Sequence, residues 1–396
     1  MIYTEKQKEL LKLWKQNKLK RINLLEGSVS SGKTWISLVL WAFYIATSPQ
    51  NGKYLMAAKS LTTLKRNCLD VLEDLVGKKN FKYNTTKKEA FLFGRLIYLE
   101  GVNDLRSESK IRGLSLNAAY CDELTLFTED FFVMLLSRLR KPGAKLIATT
   151  NPDSPKHWLM TNFIKNPDIN MLAVKFLIDD NTFLPKDYIE DLKKEYTGVF
   201  KKRFIDGEWV IAEGLVYDFF DETNHCYEKL PDSRYEYYIS IDYGTQNPFA
   251  MLLWAVDTIK QKAYLHKEYY YDGRKEKIQK TDSEYYEDLF EFAKGYLIDC
   301  VIIDPSASSF KTEIRKRGYF SVRNAENDVV EGIRYTASYM KCGKIFINKK
   351  CKNTINEFTS YSWDSKSGED KVIKENDHAM DAMRYMAHTV LRYLAF

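Results

Sequence analysis

The run Gly27-Ser28-Val29-Ser30-Ser31-Gly32-Lys33-Thr34 matches G-x-x-x-x-G-K-[ST] at every fixed position. That spacing demands a strand, a tight loop and a helix in immediate succession. The flanks supply them: Ile22, Leu24 and Leu25 make a short apolar strand, and Trp35, Ile36, Leu38, Val39 and Leu40 open an apolar helix. The glycines let the backbone curl so that its N–H groups converge on a phosphate, and the helix N-terminus adds partial positive charge. Gly27, Ser28, Ser31 and Gly32 are therefore expected to line nucleotide phosphates. Lys33 is expected to reach the β- and γ-phosphates, and the Thr34 hydroxyl to hold Mg²⁺. The ligand implied is ATP.

A second anchor follows about 90 residues after the lysine. Ala118-Ala119-Tyr120-Cys121 reads as a buried strand that ends in Asp122-Glu123. Such a pair alone is common, but beside a phosphate loop it assigns Asp122 to Mg²⁺ and Glu123 to the attacking water. Lys145 to Thr150 is a strand that runs into Asn151-Pro152, where Asn151 is expected to sense the γ-phosphate. Gln7 carries two readings: partner of Thr4 in a capping box, or reader of the adenine edge. Arg112, in Lys110-Ile111-Arg112-Gly113, is the candidate finger for a neighbouring subunit's γ-phosphate, with Arg138 and Arg140 as competitors.

Length and charge bound the rest. A chain of 396 residues is comfortable for two domains. No run of about 18 apolar residues occurs and the N-terminus lacks a signal-like apolar segment, so the expectation is a cytoplasmic protein without a membrane span. The six cysteines are scattered without a C-x-x-C pair, which argues against a zinc site or a disulfide framework. The net charge of +6 is uneven. Residues 1–210 carry 34 Lys+Arg against 24 Asp+Glu, and the remainder 26 against 30. A basic front half suits a polyanion such as DNA, and an acidic back half suits carboxylates that converge on metal ions.

Pattern reading along the chain places helices at residues 3–17, Lys59–Val76 and Leu184–Phe204, and strands at Tyr54–Ala58 and within Phe91–Val102. Turn signals place the domain boundary somewhere in 205–235, giving an ATPase domain over 1–210 and a second domain over 211–396. In the second, Tyr237 to Asp242 is a strand ending in Asp-x-Gly, and Phe249 to Val256 returns beside it. Ala263 to Tyr271 adds a third strand, and Cys300 to Ile303 is a buried strand ending at Asp304. Asp377 to Tyr385 opens a helix, with Asp377 read as its N-cap. His378 and Asp381 stand three apart and face one site.

Strand-Asp, strand-Asp, helix-Asp is the order of ribonuclease-H-like (RuvC-like) nucleases. Asp242, Asp304 and Asp381, with His378 as a fourth donor, are the expected ligands of two Mg²⁺ or Mn²⁺ ions roughly 4 Å apart, which activate water against a phosphodiester. The three aspartates are the candidate catalytic residues of the back half, as Lys33, Glu123 and Arg112 are of the front.

The whole order resembles one family, the large terminase subunit of tailed bacteriophages in its PBSX-like branch. The motifs that carry the resemblance are the phosphate loop, Tyr120-Cys121-Asp122-Glu123, Thr149-Thr150-Asn151-Pro152, Gly207-Glu208-Trp209, Ile241-Asp242-Tyr243-Gly244, Asp304-Pro305 and Asp377-His378-Ala379-Met380-Asp381-Ala382. The resemblance implies a P-loop (ASCE-type) ATPase joined to a ribonuclease-H-like nuclease. It further implies ATP-driven translocation of double-stranded DNA into a procapsid, and endonucleolytic cutting of concatemeric DNA. As partners it implies a small terminase subunit, a portal protein and a homo-oligomeric ring, pentameric while packaging, with a monomer as the alternative in solution. Residence in the host cytoplasm with transient docking on the portal follows.

The chain departs from many members in one respect: Ser28, Val29, Ser30 and Ser31 stand where an arginine is common inside the phosphate loop. His378 and Asp381 compete for the third nuclease position. Two other classes share some of these features: a helicase-like or transport ATPase with a non-cleaving, nucleic-acid-binding tail, and a non-catalytic assembly protein.

Overall fold

The computed structural model describes residues 3–102, 105–244, 248–365 and 369–394. The chain forms two compact units, Met1–Lys193 with Val199–Ile211, and Lys194–Gly198 with Ala212–Phe396.

The first unit is built on an eight-stranded sheet. Its strands are β1 (Ile22–Gly27), β2 (Tyr54–Ala58), β3 (Phe81–Asn84), β4 (Glu89–Leu92), β5 (Arg95–Gly101), β6 (Ala118–Cys121), β7 (Lys145–Thr150) and β8 (Met171–Phe176). They lie in the order β3-β4-β5-β2-β6-β7-β1-β8. From β5 to β8 all neighbours are parallel, while β3 and β4 join through antiparallel pairs. The apolar runs of β1, β2, β6 and β7 are buried on both faces, as parallel strands covered by helices must be. One core layer holds Leu25, Met56, Tyr120 and Ile147 under Leu38 and Trp41 of the helix Lys33–Thr47, and the other holds Leu24, Leu55, Ala119 and Leu146 over Phe131 and Phe132. Parallel pairing sends the ends of β1, β6 and β7 to one edge of the sheet, with β7 between the other two.

The second unit is a seven-stranded sheet. Its strands are β9 (Cys226–Tyr227), β10 (Glu236–Asp242), β11 (Phe249–Asp257), β12 (Lys262–Tyr271), β13 (Ile298–Ile303), β14 (Val322–Asn324) and β15 (Ile345–Asn348), in the order β14-β13-β10-β11-β12-β15-β9. β10, β11 and β12 form an antiparallel meander, and β13 runs parallel to β10 with Ile241 opposite Ile303. The helix His378–Thr389 packs across β10, β11 and β13 and is almost wholly buried.

Three local expectations are corrected. The run Leu184–Phe204 is two helices, Lys186–Glu195 and Gly198–Phe204, divided where Gly198 takes φ +51°. The run after β2 is helical from Leu61 to Val76, but Lys65–Leu69 is wound as a π-turn. Asp377 does precede the last helix, yet its side chain makes no capping bond. Its Oδ2 faces Lys374 Nζ at 2.9 Å, and Met380 N in the first turn donates instead to Glu357 Oε2 at 3.0 Å.

Candidate active sites

The first site lies where β1, β6 and β7 end. Gly27 has φ +133°, and a Cβ there would sit 1.8 Å from Phe176 O. Only glycine allows the loop to leave the strand against this neighbour. The backbone is then pinned from two sides: Ser28 N donates to Phe176 O at 2.9 Å and Val29 N to Phe204 O at 2.8 Å. Ser31 Oγ donates to Ser28 O at 2.9 Å. Gly32, at φ +80°, is the N-cap of the helix Lys33–Thr47 and offers no side-chain acceptor to its first turn. The N–H groups of that turn, Thr34 among them, are the donors an anion would use. Ser28 Oγ, within the loop, is buried with no hydrogen-bond partner among the described residues.

Lys33 is buried, and its ammonium donates to Ser28 O at 3.0 Å and to Asn151 Oδ1 at 2.7 Å. Burial lowers its pKa, and the charges of Glu123 and Asp122 oppose that shift. Asn151 in turn donates to Glu123 Oε2 through both its side-chain amide, at 3.1 Å, and its backbone N, at 3.3 Å. Glu123 is held at φ +53°, an uncommon conformation for a non-glycine residue. Thr149 Oγ1 donates to Asp122 Oδ1 at 2.8 Å and accepts from Glu123 N at 3.2 Å. Lys33, Asp122, Glu123 and Asn151, four positions read from the sequence, thus belong to one hydrogen-bonded network.

Sequence reasoning missed Asn67, whose Nδ2 donates to Asp122 Oδ2 at 3.2 Å from the π-turn. Its only signal was a polar residue inside an otherwise amphipathic helix. Gln7 makes the capping box in full, with Thr4 N donating to its Oε1 at 3.1 Å and its own N donating to Thr4 Oγ1 at 3.3 Å. Its Nε2 is also the atom nearest the position a Gly32 Cβ would take, at 3.0 Å, so the side chain that caps the first helix lies beside the loop Gly27–Gly32. Arg112 is not in this network: it is exposed and ion-paired with Glu108, and its carbonyl accepts from Arg138. Arg140 is likewise engaged, with Ser115 Oγ and Leu114 O.

The second site lies at the ends of β10 and β13. Asp242 and Asp304 leave adjacent parallel strands, and the helix His378–Thr389 crosses beside them. His378 Nδ1 and Asp242 Oδ2 stand 2.8 Å apart. Burial raises the pKa of Asp242, with His378 opposing and Asp381 reinforcing. Burial disfavours the charged imidazole of His378, but the Asp242 carboxylate outweighs it and leaves His378 above its ordinary value. A cavity of about 600 Å³ is lined here by Asp242, Asp272, Lys374, Asp377, His378 and Asp381, among others.

Asp304 does not line that cavity. Its Oδ1 accepts from Ser306 N at 2.6 Å and its Oδ2 from Tyr385 OH at 3.0 Å. Burial pushes its pKa up, but the Ser306 hydrogen bonds prevail and hold it low. Asp381 shares the cavity but is already paired: Arg384 Nε donates to it at 2.8 Å and Lys374 Nζ at 3.0 Å. Burial opposes its ionisation, and the Arg384 charge overcomes that and lowers its pKa.

The donor chemistry, hard oxygens with one imidazole, suits Mg²⁺ or Mn²⁺. As the side chains stand, however, no group of three or more His, Cys, Asp or Glu among the described residues surrounds one ion position. The expected four-ligand set therefore resolves into an Asp242–His378 pair, an Asp381–Arg384 pair and a separate Asp304. Glu357 is a carboxylate that sequence reasoning missed. It is buried beside the first turn of the His378 helix, and burial raises its pKa to about 7.

Comparison with known proteins bears on both sites. Residues 24–224 match the family model described as terminase large subunit, T4likevirus-type, N-terminal. The large terminase subunit of Escherichia phage T5 is 23% identical over 280 residues, and the match spans 67% of this chain and 62% of the phage T5 protein. The solved structure of the large terminase from a thermophilic bacteriophage is 36% identical, with a TM-score of 0.93 over 99% of this chain and 100% of that one. The same thermophilic-phage protein solved with ATP-γ-S gives 36% identity and a TM-score of 0.90, over 98% of this chain and 100% of that one. On a matched model spanning half of its length and a full-length structural relative at that identity, the chain belongs to the family of phage large terminase subunits.

Proposed function

We propose that the chain is the ATP-hydrolysing, DNA-cutting subunit of a phage packaging machine. The observation that carries the reading is the single asparagine, Asn151, that joins the phosphate-loop lysine to the acid Glu123. A group that touches both is placed to register whether a γ-phosphate lies between them. ATP is held by the loop Gly27 to Thr34, through the N–H groups that Phe176 O and Phe204 O do not take, and by Lys33, with Mg²⁺ on Thr34 and Asp122. Glu123 orients the attacking water, and Gln7 reads the adenine edge with the amide nitrogen its cap leaves over. The strand β7 between β1 and β6 supports an ASCE-type arrangement, in which this added strand carries the sensing residue. The thermophilic-phage relative was solved with ADP and with ATP-γ-S, which supports ATP as the nucleotide.

The second unit, from about residue 212, acts as the nuclease. The order β12-β11-β10-β13-β14, three antiparallel strands continued by two parallel ones, supports a ribonuclease-H-like fold. Asp242 and His378 form the nucleus of the metal site and Asp304 is the further carboxylate, while Asp381 serves mainly to hold Arg384. The ion is Mg²⁺ or Mn²⁺. The substrate is double-stranded DNA, translocated into a procapsid and cut from a concatemer. A small terminase subunit, a portal protein and further copies of this chain in a ring are the partners, met in the host cytoplasm.

The test is cleavage of supercoiled plasmid with Mn²⁺, Mg²⁺ or EDTA by wild type and Asp304→Ala. Metal-dependent nicking that the variant loses is the expected result. No cleavage by the folded wild type with either metal would reduce the chain to a motor with a DNA-binding tail.

A further inference from the structure

Gly207-Glu208-Trp209 has no part in the chemistry above, yet the stretch that contains it wraps the nucleotide site. Phe204 O accepts from Val29 N inside the phosphate loop at 2.8 Å. A Cβ on Gly207, which has φ +64°, would lie 3.5 Å from the Cα of Gly27. Trp209 Nε1 donates to Glu26 Oε2 at 2.6 Å, one residue before that glycine. Arg203 is 3% exposed. Its Nη1 stands 3.2 Å from Asp153 Oδ1, two residues after Asn151, and its Nε and Nη2 both donate to Val210 O, at 3.1 and 2.5 Å. These contacts reach the end of β1, the phosphate loop and the turn beyond β7, and the first unit ends at Ile211.

We infer that Arg203 is a positioning residue for ATP hydrolysis, and that residues 203–210 form a strap that reports nucleotide occupancy to the end of the first unit. This rests on the reading of Asn151, Lys33 and Glu123 as the ATP site. A guanidinium is a planar fork that bonds a carboxylate with one nitrogen and a carbonyl with two others. The guanidinium itself is buried, so the fork, bonded to both partners at once, sets the distance from Asp153 to Val210. Asp153 is one proline removed from Asn151. The turn that aims Asn151 at Lys33 and Glu123 is therefore tied to the strap, and a shift of Asn151 on nucleotide binding pulls on Val210 and on the Trp209–Glu26 contact. Lysine carries the charge of Arg203 but has no fork to hold both partners at once.

The experiment uses the full chain and the variants Arg203→Lys, Arg203→Gln, Asp153→Asn and Trp209→Phe, with Lys33→Ala as control. Steady-state ATP hydrolysis gives kcat and KM per folded protein, and calorimetry gives ATP-γ-S binding. The Trp209 signal is the difference in fluorescence response to ATP-γ-S between wild type and Trp209→Phe, recorded again in the Arg203→Lys background.

The expected result for Arg203→Lys and Asp153→Asn is a loss in kcat of roughly tenfold or more with KM and ATP-γ-S affinity within about threefold. The Trp209 signal should be present in wild type and lost with Arg203→Lys. Wild-type kcat in Arg203→Lys, or a Trp209 signal unchanged by it, overturns the inference, as does a loss explained by a smaller folded fraction alone. Should Arg203→Gln not fold, the lysine variant and Asp153→Asn carry the test. A wild type that neither binds ATP-γ-S nor differs from Lys33→Ala would instead refute the ATP site itself, and the inference with it.

Discussion

Lys33 Nζ donates to Asn151 Oδ1 at 2.7 Å, across 118 positions of sequence. Lys33 opens the helix that follows β1 and Asn151 directly follows β7, and β1 lies against β7, which makes the bond possible. Because the same Asn151 also donates to Glu123, the network is a chain from cation to amide to acid. On the proposed function, truncating Asn151 to Ala should lower ATP hydrolysis by about 10²-fold while leaving plasmid cleavage intact, since it removes the preorganised amide that joins Lys33 to Glu123. Lys33→Ala should abolish hydrolysis and equally spare cleavage. Parallel assays of both activities on each variant check this, and loss of both in a folded variant would contradict separate sites.

Gly27→Ala tests the loop itself. The added methyl would meet Phe176 O at 1.8 Å, and that carbonyl accepts from Ser28 N. The loop must move or the strand pair must part, so ATP-γ-S binding measured by calorimetry should fall below detection.

His378 and Asp381 are separable by stability. Asp381→Ala leaves Arg384 buried without its carboxylate partner, which costs about 3 kcal/mol or more. His378→Ala removes an imidazole facing one carboxylate and should cost much less stability while abolishing metal-dependent nicking. Urea unfolding beside the plasmid assay distinguishes them. Equal destabilisation by the two changes would refute the division of roles.

Glu357 predicts a pH effect. Burial raises its pKa from 4.5 to about 7, so the folded protein binds a proton that the unfolded chain releases at lower pH. Stability from this group is full below about pH 4.5 and is lost as pH rises through about 7, by on the order of 3 kcal/mol. Glu357→Gln keeps an acceptor for Met380 N and should flatten the fall in urea midpoint between pH 5 and 8. A variant profile parallel to wild type would show that Glu357 does not titrate in this range.

Arg112 is exposed, and its guanidinium is paired with Glu108 from the same short segment. Arg112→Ala should leave ATP hydrolysis by the isolated chain within about twofold and reduce it in the assembled ring by about 10³-fold or more, as for a finger supplied in trans. Mixing it with Glu123→Ala subunits should restore activity. Failure of that mixture to recover would assign the finger elsewhere.

Much of both sites was legible from residue order because the chemistry dictates local spacing. A phosphate loop needs its glycines, lysine and hydroxyl within eight residues, and an acid at the end of a buried strand announces itself by the apolar run before it. β1, β2, β6, β7, β10, β11, β12 and β13 all form where hydrophobic pattern put them. What sequence could not carry was pairing. Asp381 looked like a ligand because it shares a helix face with His378, yet its place is decided by Arg384 and by Lys374, seven residues away in an irregular segment. Asp377 looked like a cap, but the helix N-terminus is met by Glu357 from a separate helix. Asn67 and Arg203 gave no motif at all, since a side chain that acts by touching a distant residue leaves no periodicity. Local spacing was determined by the sequence alone, because the loop and the strand-end acids are short-range geometry. The partners of each buried charge were decided only by the tertiary structure, because a buried charge takes whichever counter-charge the packing brings within hydrogen-bond reach.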